Sequence, residues 1–453
     1  MSKYQSYTAY ASLWNKSFPS HWSVLPMYAL AKEKSICGCV DLPLLSVYLD
    51  VGVIPFSAKA EKRTNVTSKD LSKYQRVDCG DFVLNNQQAW RGSVGISFDT
   101  GIVSPAYIVL SMNDMLNSRY ANYLLRSRIM VDQYLINSKS VGSIQRNIYW
   151  PALKRTSVPV PPREEQDQIV RFLDWKVSSI NKLIRIRKRQ IEELEAIKRS
   201  SIGYLVMGQA QSVPQRDTEV NWVKTIPAHW NEKTLIQVAE EQQIKNAGMV
   251  EDNLLSLSYG KIINKDINTT DGLLPSSFEG YQIVHDGNII LRLTDLQNDH
   301  KSLRTGLVTQ TGIITSAYTW LKVRHNSLPE YLQLQLHVAD LCKTFYGMGG
   351  GVRQSIGFTE IRKLVIAIPP VEEQQYILDR VHGIEEPINC AIQNIRDIIA
   401  GLEDLKTRLI SDAVTGKIDV RGIEIPEYEF VDEDNDNVDE NLEQGADEPP
   451  EEE

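Results

Sequence analysis

Pro161-Pro162-Arg163-Glu164-Glu165-Gln166 returns 208 residues later as Pro369-Pro370-Val371-Glu372-Glu373-Gln374. Each copy closes a short apolar run (Val158 and Val160; Val365 to Ile368) with two prolines, which fix φ and stop a strand. The glutamates that follow suit a helix N-terminus, where the macrodipole favours negative charge. The same offset pairs Leu173 with Val381, Ile180 with Ile388, Ile184 with Ile392, Leu194-Glu195 with Leu402-Glu403, and Gly208 with Gly416. Upstream, Pro19-Ser20-His21-Trp22 returns as Pro227-Ala228-His229-Trp230. Gly101-Ile102-Val103-Ser104-Pro105-Ala106-Tyr107 is echoed by Gly312-Ile313-Ile314-Thr315-Ser316-Ala317-Tyr318 at an offset of 211. A near-constant offset across both halves predicts a tandem duplication, each copy a variable segment followed by a shorter similar one.

The similar segments read as long helices. Steps of four and three from Leu173 meet apolar residues at Leu173, Val177, Ile180, Ile184, Ile191, Leu194 and Leu205. From Val381 the same steps meet Ile388, Ile392, Ile395, Ile399, Leu402, Leu409 and Ala413. Such spacing, sustained over more than three heptads, signals a coiled-coil seam. The expected seam residues are Ile180, Ile184, Ile191, Leu194, Ile388, Ile392, Ile399 and Leu402, with packing of each helix on its own domain as the alternative. Gly208 and Gly416 supply stop signals. Pro387 is expected to break the second segment into a short helix and a long one.

The variable segments read as mixed α+β. Strand-like stretches (Asp81 to Leu84, Ile102 to Leu110, Asn288 to Leu291, Thr319 to Val323) are punctuated by Gly, Asn and Asp. A helix-like stretch follows in each copy, Arg119 to Tyr134 and Pro329 to Phe345, and then a polar patch, Gly142 to Arg146 and Gly350 to Ser355. The expected organisation is a first variable domain over 1–155, a helical spacer over 156–214, a second variable domain over 215–365, a second helical spacer over 366–422 and an acidic tail over 427–453.

The 453 residues carry a net charge of −9, but unevenly. Residues 427–453 hold 14 acidic residues and no Lys or Arg, the composition of a disordered tail. Residues 1–155 carry +8, 156–214 +3, 215–365 −1 and 366–426 −5. The basic excess of the first half suits a polyanion, through counterion release, or an ordinary solvated surface. Five cysteines without a CxxC pair, no apolar leader at the first residues and no apolar run long enough for a membrane span predict a cytoplasmic protein with reduced thiols.

No catalytic constellation is evident. Gly347-Met348-Gly349-Gly350-Gly351 lacks the lysine and the helix of a phosphate loop, and no GxGxxG follows a strand. His21 and His229 each precede a Trp without a second ligand at metal spacing, which favours packing or hydrogen bonding over zinc. No metal, no cofactor and no catalytic residue is therefore expected in this chain.

Two variable domains, each followed by a helical segment opening Pro-Pro-x-x-Glu-Gln, resemble the specificity subunit of type I restriction–modification enzymes over about residues 15–420. Family-like stretches include Gly80-Asp81-Phe82-Val83-Leu84-Asn85, Gly101 to Tyr107 and Gly287-Asn288-Ile289-Ile290-Leu291-Arg292; Thr315-Ser316-Ala317-Tyr318 departs from the Ser-Pro-Ala-Tyr form. The resemblance implies two target-recognition domains, each reading half of a split sequence in double-stranded DNA, on an antiparallel helical spacer that binds two methyltransferase (modification) subunits. S-adenosylmethionine would lie on those subunits, and ATP and Mg on them or on a further restriction, or motor, subunit. Leu173 to Leu205 spans ~48 Å at ~1.5 Å per helical residue, enough to hold two reading heads a duplex turn (~34 Å) or slightly more apart. Base edges are read by Arg, Lys, Asn, Gln and Thr. The candidates are Lys59, Lys62, Arg63, Asn86, Gln88, Arg91, Gln145 and Arg146 in the first domain, and Lys261, Arg292, Thr294, Arg304, Arg353 and Gln354 in the second. Each serves equally as a solvated surface residue, and Trp90 as a stacking or a core residue. The competing readings are a coiled-coil scaffold without DNA readout and a nuclease or methyltransferase with a scattered site.

Overall fold

The computed structural model describes residues 3–10, 16–49, 51–58, 70–141, 145–210, 212–267, 275, 277–296, 303–324, 327–348 and 356–432. The chain is α+β and divides into two compact units, each drawn from two stretches of sequence. Among the described residues one unit holds 3–189 and 395–432, the other 190–394. The acidic residues 433–453 lie outside the described residues.

The first unit is built on a four-stranded antiparallel sheet in the order Ala31–Lys34, Tyr107–Met112, Phe82–Asn85, Val94–Ile96. Phe82, Val83 and Leu84 are all buried, as expected of a central strand covered on both faces, whose sequence is a continuous apolar run. The second unit has a sheet of the same order: Ala239–Gln242, Thr319–Val323, Ile289–Leu291, Thr305–Leu307. Beside each sheet lies a two-stranded ribbon, Ser23–Pro26 with Ser157–Val160 and Asn231–Thr234 with Val365–Ile368. The second strand of each ribbon is the apolar run before Pro-Pro.

The stretch read as one helix over Arg119 to Tyr134 is two, Ser118–Leu125 and Arg128–Ile136. Asn117 caps the first, its Oδ1 accepting from Arg119 N at 2.8 Å and from Tyr120 N at 3.3 Å. Ser127 Oγ donates back to the Leu124 carbonyl at 2.6 Å, a local bond that competes with helix continuation and accounts for the break. The corresponding element in the second unit is Pro329–Leu341, with Pro at its first turn.

Two helices of 44 residues, Arg163–Val206 and Val371–Val414, dominate the chain. Pro387 does not break the second one, contrary to the sequence expectation. An internal proline removes one hydrogen bond and crowds the carbonyl four residues back, but the remaining turns on either side hold a helix this long together. No helix among the described residues is long and apolar enough to cross a membrane.

The repeated Pro-Pro-x-x-Glu-Gln segment is a two-way clamp. In the first unit Glu165, only 5 % exposed, accepts from Trp22 Nε1 at 3.0 Å and from the Tyr4 hydroxyl, and bonds His21 Nε2 at 2.7 Å. Its neighbour Gln166 donates to the carbonyls of Pro161 and Met115, both at 2.9 Å, and accepts from Asn117 N at 2.7 Å, fixing the start of the Ser118–Leu125 helix. The second unit repeats this with its own residues. Glu373 holds His229 and Trp230, each at 2.8 Å, and Gln374 joins Pro369 O at 2.9 Å to Leu328 N at 2.8 Å. Both His-Trp pairs are thus hydrogen-bonding elements of the packing. Burial, reinforced by the bond to Glu165, pushes the Tyr4 hydroxyl well above its ordinary pKa and keeps it a donor.

Each long helix ends inside the unit it did not start in. In the first unit the Val414 carbonyl accepts from the buried Tyr120 hydroxyl at 3.2 Å, and Ala413 and Val414 join the core around Phe18, Trp22 and Phe172. In the second unit the Val206 carbonyl accepts from Gln335 Nε2 at 2.9 Å and the Tyr331 hydroxyl at 3.3 Å. There Ile202, Leu205 and Val206 pack with Trp230, Ile377 and Val381. Lys198 Nζ donates to Asn389 Oδ1 at 3.1 Å, so within that unit the two helices lie side by side. Ile180, Ile184 and Ile392 are buried; Ile191, Leu194, Ile388, Ile399 and Leu402 are half-buried.

His337, on the Pro329–Leu341 helix, is held below the ordinary histidine pKa, first by burial and then by the charge of Lys198. Its Nδ1 has no hydrogen-bond partner among the described residues. The depressed value means that the folded chain resists a proton which the unfolded chain takes up. Stability is therefore expected to fall as pH drops below about 6.5. Urea midpoints measured from pH 7.5 to 5 check this: His337→Leu should flatten the pH dependence, and an unchanged slope would assign it to other groups.

Candidate nucleic-acid interface

In the first unit the central strand Phe82–Asn85 runs out into a turn and a short 3-10 segment, Ala89–Arg91. Asn85 Oδ1 accepts from Gln87 N at 3.2 Å, and Gly92, at φ 111°, closes the segment in a conformation that other residues rarely adopt. Ala89 is buried beneath, which leaves Gln88 and Arg91 exposed. Trp90 Nε1 donates to the Gln87 carbonyl at 3.0 Å, and the Arg91 guanidinium lies 4.8 Å from the Trp90 ring centre. Trp90 is thus half-buried and a platform for a cation.

Against this turn packs the hairpin Ser138–Val141 with Gln145–Ile148. It is fastened by Asn86, whose Oδ1 accepts from Ile148 N at 2.9 Å. The Asn86 carbonyl faces the same N–H at 3.2 Å. Arg146 Nε bonds Ser138 Oγ at 3.0 Å, and Lys139 Nζ stands 3.8 Å from the ring centre of the exposed Tyr149. Of the sequence candidates, Gln88, Arg91 and Arg146 lie on this turn and hairpin, while Asn86 acts as the fastener between them. Sequence reading did not single out Lys139 and Tyr149, which the hairpin brings to the same surface. Gln145 lies in the hairpin's second strand; Lys59, Lys62, Arg63 and 142–144 lie outside the described residues.

The second unit places a comparable group at the end of its own central strand. After Ile289–Leu291 come Arg292 and Thr294, and Ile356 N donates to the Leu293 carbonyl at 3.0 Å, the counterpart of the Ile148–Asn86 bond. Arg304 is fully buried and braces this loop from within. Its guanidinium donates to the carbonyls of Thr294 at 2.7 Å, Arg292 at 3.2 Å and Asp295 at 3.3 Å, and its Nε bonds the Tyr346 hydroxyl at 3.1 Å. Arg304 was expected at a base edge. Its donors instead satisfy loop carbonyls, because Asp295 at φ 54° turns the chain back on itself around the guanidinium.

Lys343, at φ 59°, points its ammonium to within 4.6 Å of the Tyr346 ring centre, a second cation–aromatic pair that sequence reading did not find. Lys261 is exposed beside a hairpin turn whose Gly260 lies against Leu303 and the Thr305 carbonyl, so it flanks the same loop. Arg353 and Gln354 lie outside the described residues.

Each surface combines Arg and Lys with an aromatic ring at the end of a sheet. Among the described residues no group of His, Cys, Asp and Glu is arranged to hold a metal ion. Such a surface suits contacts to phosphates and base edges.

Residues 39–196 match the family model described as the type I restriction modification DNA specificity domain. The chain is 24% identical over 380 residues, 79% of its own length and 82% of the other's, to a protein of Methanocaldococcus jannaschii named "Putative type I restriction enzyme MjaX specificity subunit". It is also similar to a chain of a solved structure concerned with complex assembly and conformational transition of the type I restriction–modification system. That match has a TM-score of 0.61 at 14% identity and covers 88% of this chain and 99% of that one, a likeness of fold.

Proposed function

We propose that the chain is a specificity subunit of a type I restriction–modification enzyme, reading a split DNA target and carrying the methyltransferase subunits to it. The observation that carries the reading is the pairing of two like surfaces. Arg91, Lys139 and Arg146 are gathered on one unit and Arg292 and Lys343 on the other, each beside the end of a central strand and fastened by an equivalent backbone bond.

In this reading the two units are target-recognition domains produced by duplication, each responsible for one half-site. The first unit's net positive charge supplies much of the phosphate grip; in the second, Lys261, Arg292 and Lys343 lie around the loop that Arg304 braces. Together the 44-residue helices form the spacer, pairing antiparallel along Ile180, Ile184, Ile191, Leu194, Ile388, Ile392, Ile399 and Leu402. Their lengths fix the distance between half-sites, since an α-helix has a fixed rise per residue.

Leu183 and Ile186 of the first helix and Ile398 and Leu405 of the second are exposed apolar residues on these rods, the kind of surface that marks a protein–protein contact. They are the proposed seats of two modification subunits. S-adenosylmethionine would be held by those subunits, and ATP and Mg by them or by an associated restriction subunit, with this chain non-catalytic and acting on DNA in the cytoplasm.

Genome-wide adenine methylation tests the reading, in cells carrying the chain with its methyltransferase and in cells lacking only the chain. A bipartite motif lost with the deletion is the expected result and spells out both half-sites. Identical methylation in the two strains would give preference to a scaffold without DNA readout.

A further inference from the structure

The central strand of each unit leads into a loop that returns along the neighbouring edge strand, and matching backbone bonds close the two loops. In the first unit Asn85 N donates to Ser93 O at 3.0 Å; in the second Arg292 N donates to Arg304 O at 2.9 Å. The strand pairs just before these bonds are Leu84 with Val94 and Leu291 with Thr305. Arg304 therefore stands where the first unit has Ser93, and it closes a loop of eleven intervening residues against seven.

Both positions are buried, but their side chains do different things. Ser93, 3 % exposed, donates its hydroxyl to Val47 O at 3.0 Å, outside its own loop. Arg304, with no exposed surface, turns into the loop that it closes. Its Nη1 donates to the carbonyls of Thr294 at 2.7 Å and Arg292 at 3.2 Å, and its Nη2 to that of Asp295 at 3.3 Å. Leu293 and Leu296 are buried, so the side chains that this stretch offers at the surface are those of Arg292, Thr294 and Asp295. Asp295 lies at φ 54°, a conformation that a residue other than glycine keeps only where its surroundings enforce it. The guanidinium enforces it here and is itself fixed from its far side. Its Nε bonds the Tyr346 hydroxyl at 3.1 Å, and the Arg304 N–H donates to the buried Asp340 carboxylate at 2.8 Å. Only arginine offers several donors in one rigid plane; a lysine would supply a single ammonium.

We propose that Arg304 is a positioning residue for recognition by the second unit. Without touching DNA, it holds residues 292–296 in the shape that admits the correct base pairs of one half-site. A base edge is read only from a closely defined position, whereas a phosphate tolerates a looser one, so a loop released from the guanidinium loses discrimination before it loses its grip. This role rests on the chain's being a DNA-reading specificity subunit.

The test uses the methyltransferase assembled on the full chain, with Arg304→Lys, and with Tyr346→Phe as a milder change that removes only the hydroxyl bonded to Nε. Methylation rates are measured on the cognate duplex and on duplexes altered at a single base pair in one half-site or the other. In Arg304→Lys, discrimination is expected to fall by about tenfold at one or more base pairs of a single half-site and to stay intact at the other. Tyr346→Phe should give a smaller loss at the same base pairs, and it decides alone if the melt of Arg304→Lys shows that this variant does not fold. An equal loss of rate on every duplex, with discrimination intact, is the mark of a merely structural brace and would overturn the proposal. Unchanged discrimination in both variants, or a loss at both half-sites, would overturn it as well. A wild-type assembly that discriminates at neither half-site would instead overturn the DNA-reading function on which the role rests.

Discussion

Gly416→Ala is expected to destabilise the first unit by about 2–5 kcal/mol, the sum of a left-handed backbone cost and a clash in a packed core. Gly416 sits at φ +68° and closes the second long helix: its N–H bonds the Ala413 carbonyl at 3.1 Å, and Lys417 N bonds Asp412 O at 2.9 Å. A Cβ there would meet Pro19 Cδ and Cγ at 2.5 Å and the Trp22 ring at 3.0 Å, and neither ring can swing aside. Gly208→Ala should behave alike in the second unit, at φ +71° with Pro227 at 2.5 Å and Trp230 at 2.8 Å. The control is Gly401→Ala on the same long helix as Gly416, where nothing lies within 4 Å of the new Cβ. That change should stabilise by about 0.5–1 kcal/mol, because alanine loses less backbone entropy than glycine in a helix. Urea unfolding of the three variants checks the set. Equal midpoints for Gly416→Ala and Gly401→Ala would show that the seat of Trp22 can give way.

Replacing Arg91, Lys139 and Arg146 together by Ala is expected to weaken binding of the assembled methyltransferase to its target by about a hundredfold, with less dependence on salt. Three lost phosphate contacts would lower the slope of log K against log salt by up to ~2.7, and a lost base contact would add ~1–3 kcal/mol of discrimination at one position. The three side chains are exposed or half-buried, and the contacts they make are to Trp90, Tyr149 and Ser138 at the surface. The fold should therefore survive the change. A salt titration on a cognate duplex measures both quantities. Unchanged affinity and slope would remove this surface from the interface while leaving the assignment of the family intact.

Much of the framework could be read from the chain because it rests on local rules. Pro-Pro ends a strand and opens a helix wherever it stands, so both 44-residue helices were placed near their true starts. The glycine stops at 208 and 416 were equally local, since only glycine closes a helix at positive φ without cost. Continuous apolar runs such as Phe82-Val83-Leu84 and Ile289-Ile290-Leu291 announced the buried central strands. The two misreadings over Pro387 and Ser127 have one cause. Helix continuation is a cooperative sum, so a proline within a 44-residue helix is carried by its neighbours, whereas a serine between two short helices is enough to part them.

By itself the sequence determined the recurring motifs, the two long helices, the apolar strands and the residue types of the polar loops. It could not say which partner each side chain would take, because those partners are 144 residues distant, as with His21 and Glu165 or His229 and Glu373. Tertiary structure alone decided that Arg304 is enclosed while Arg91 is exposed, though both are arginines in polar loops. It alone brought Lys139 and Tyr149 to the turn of Gln88. The physical reason is that periodicity and propensity are properties of neighbours along the chain, whereas a buried donor takes whichever acceptor the packed fold brings to it.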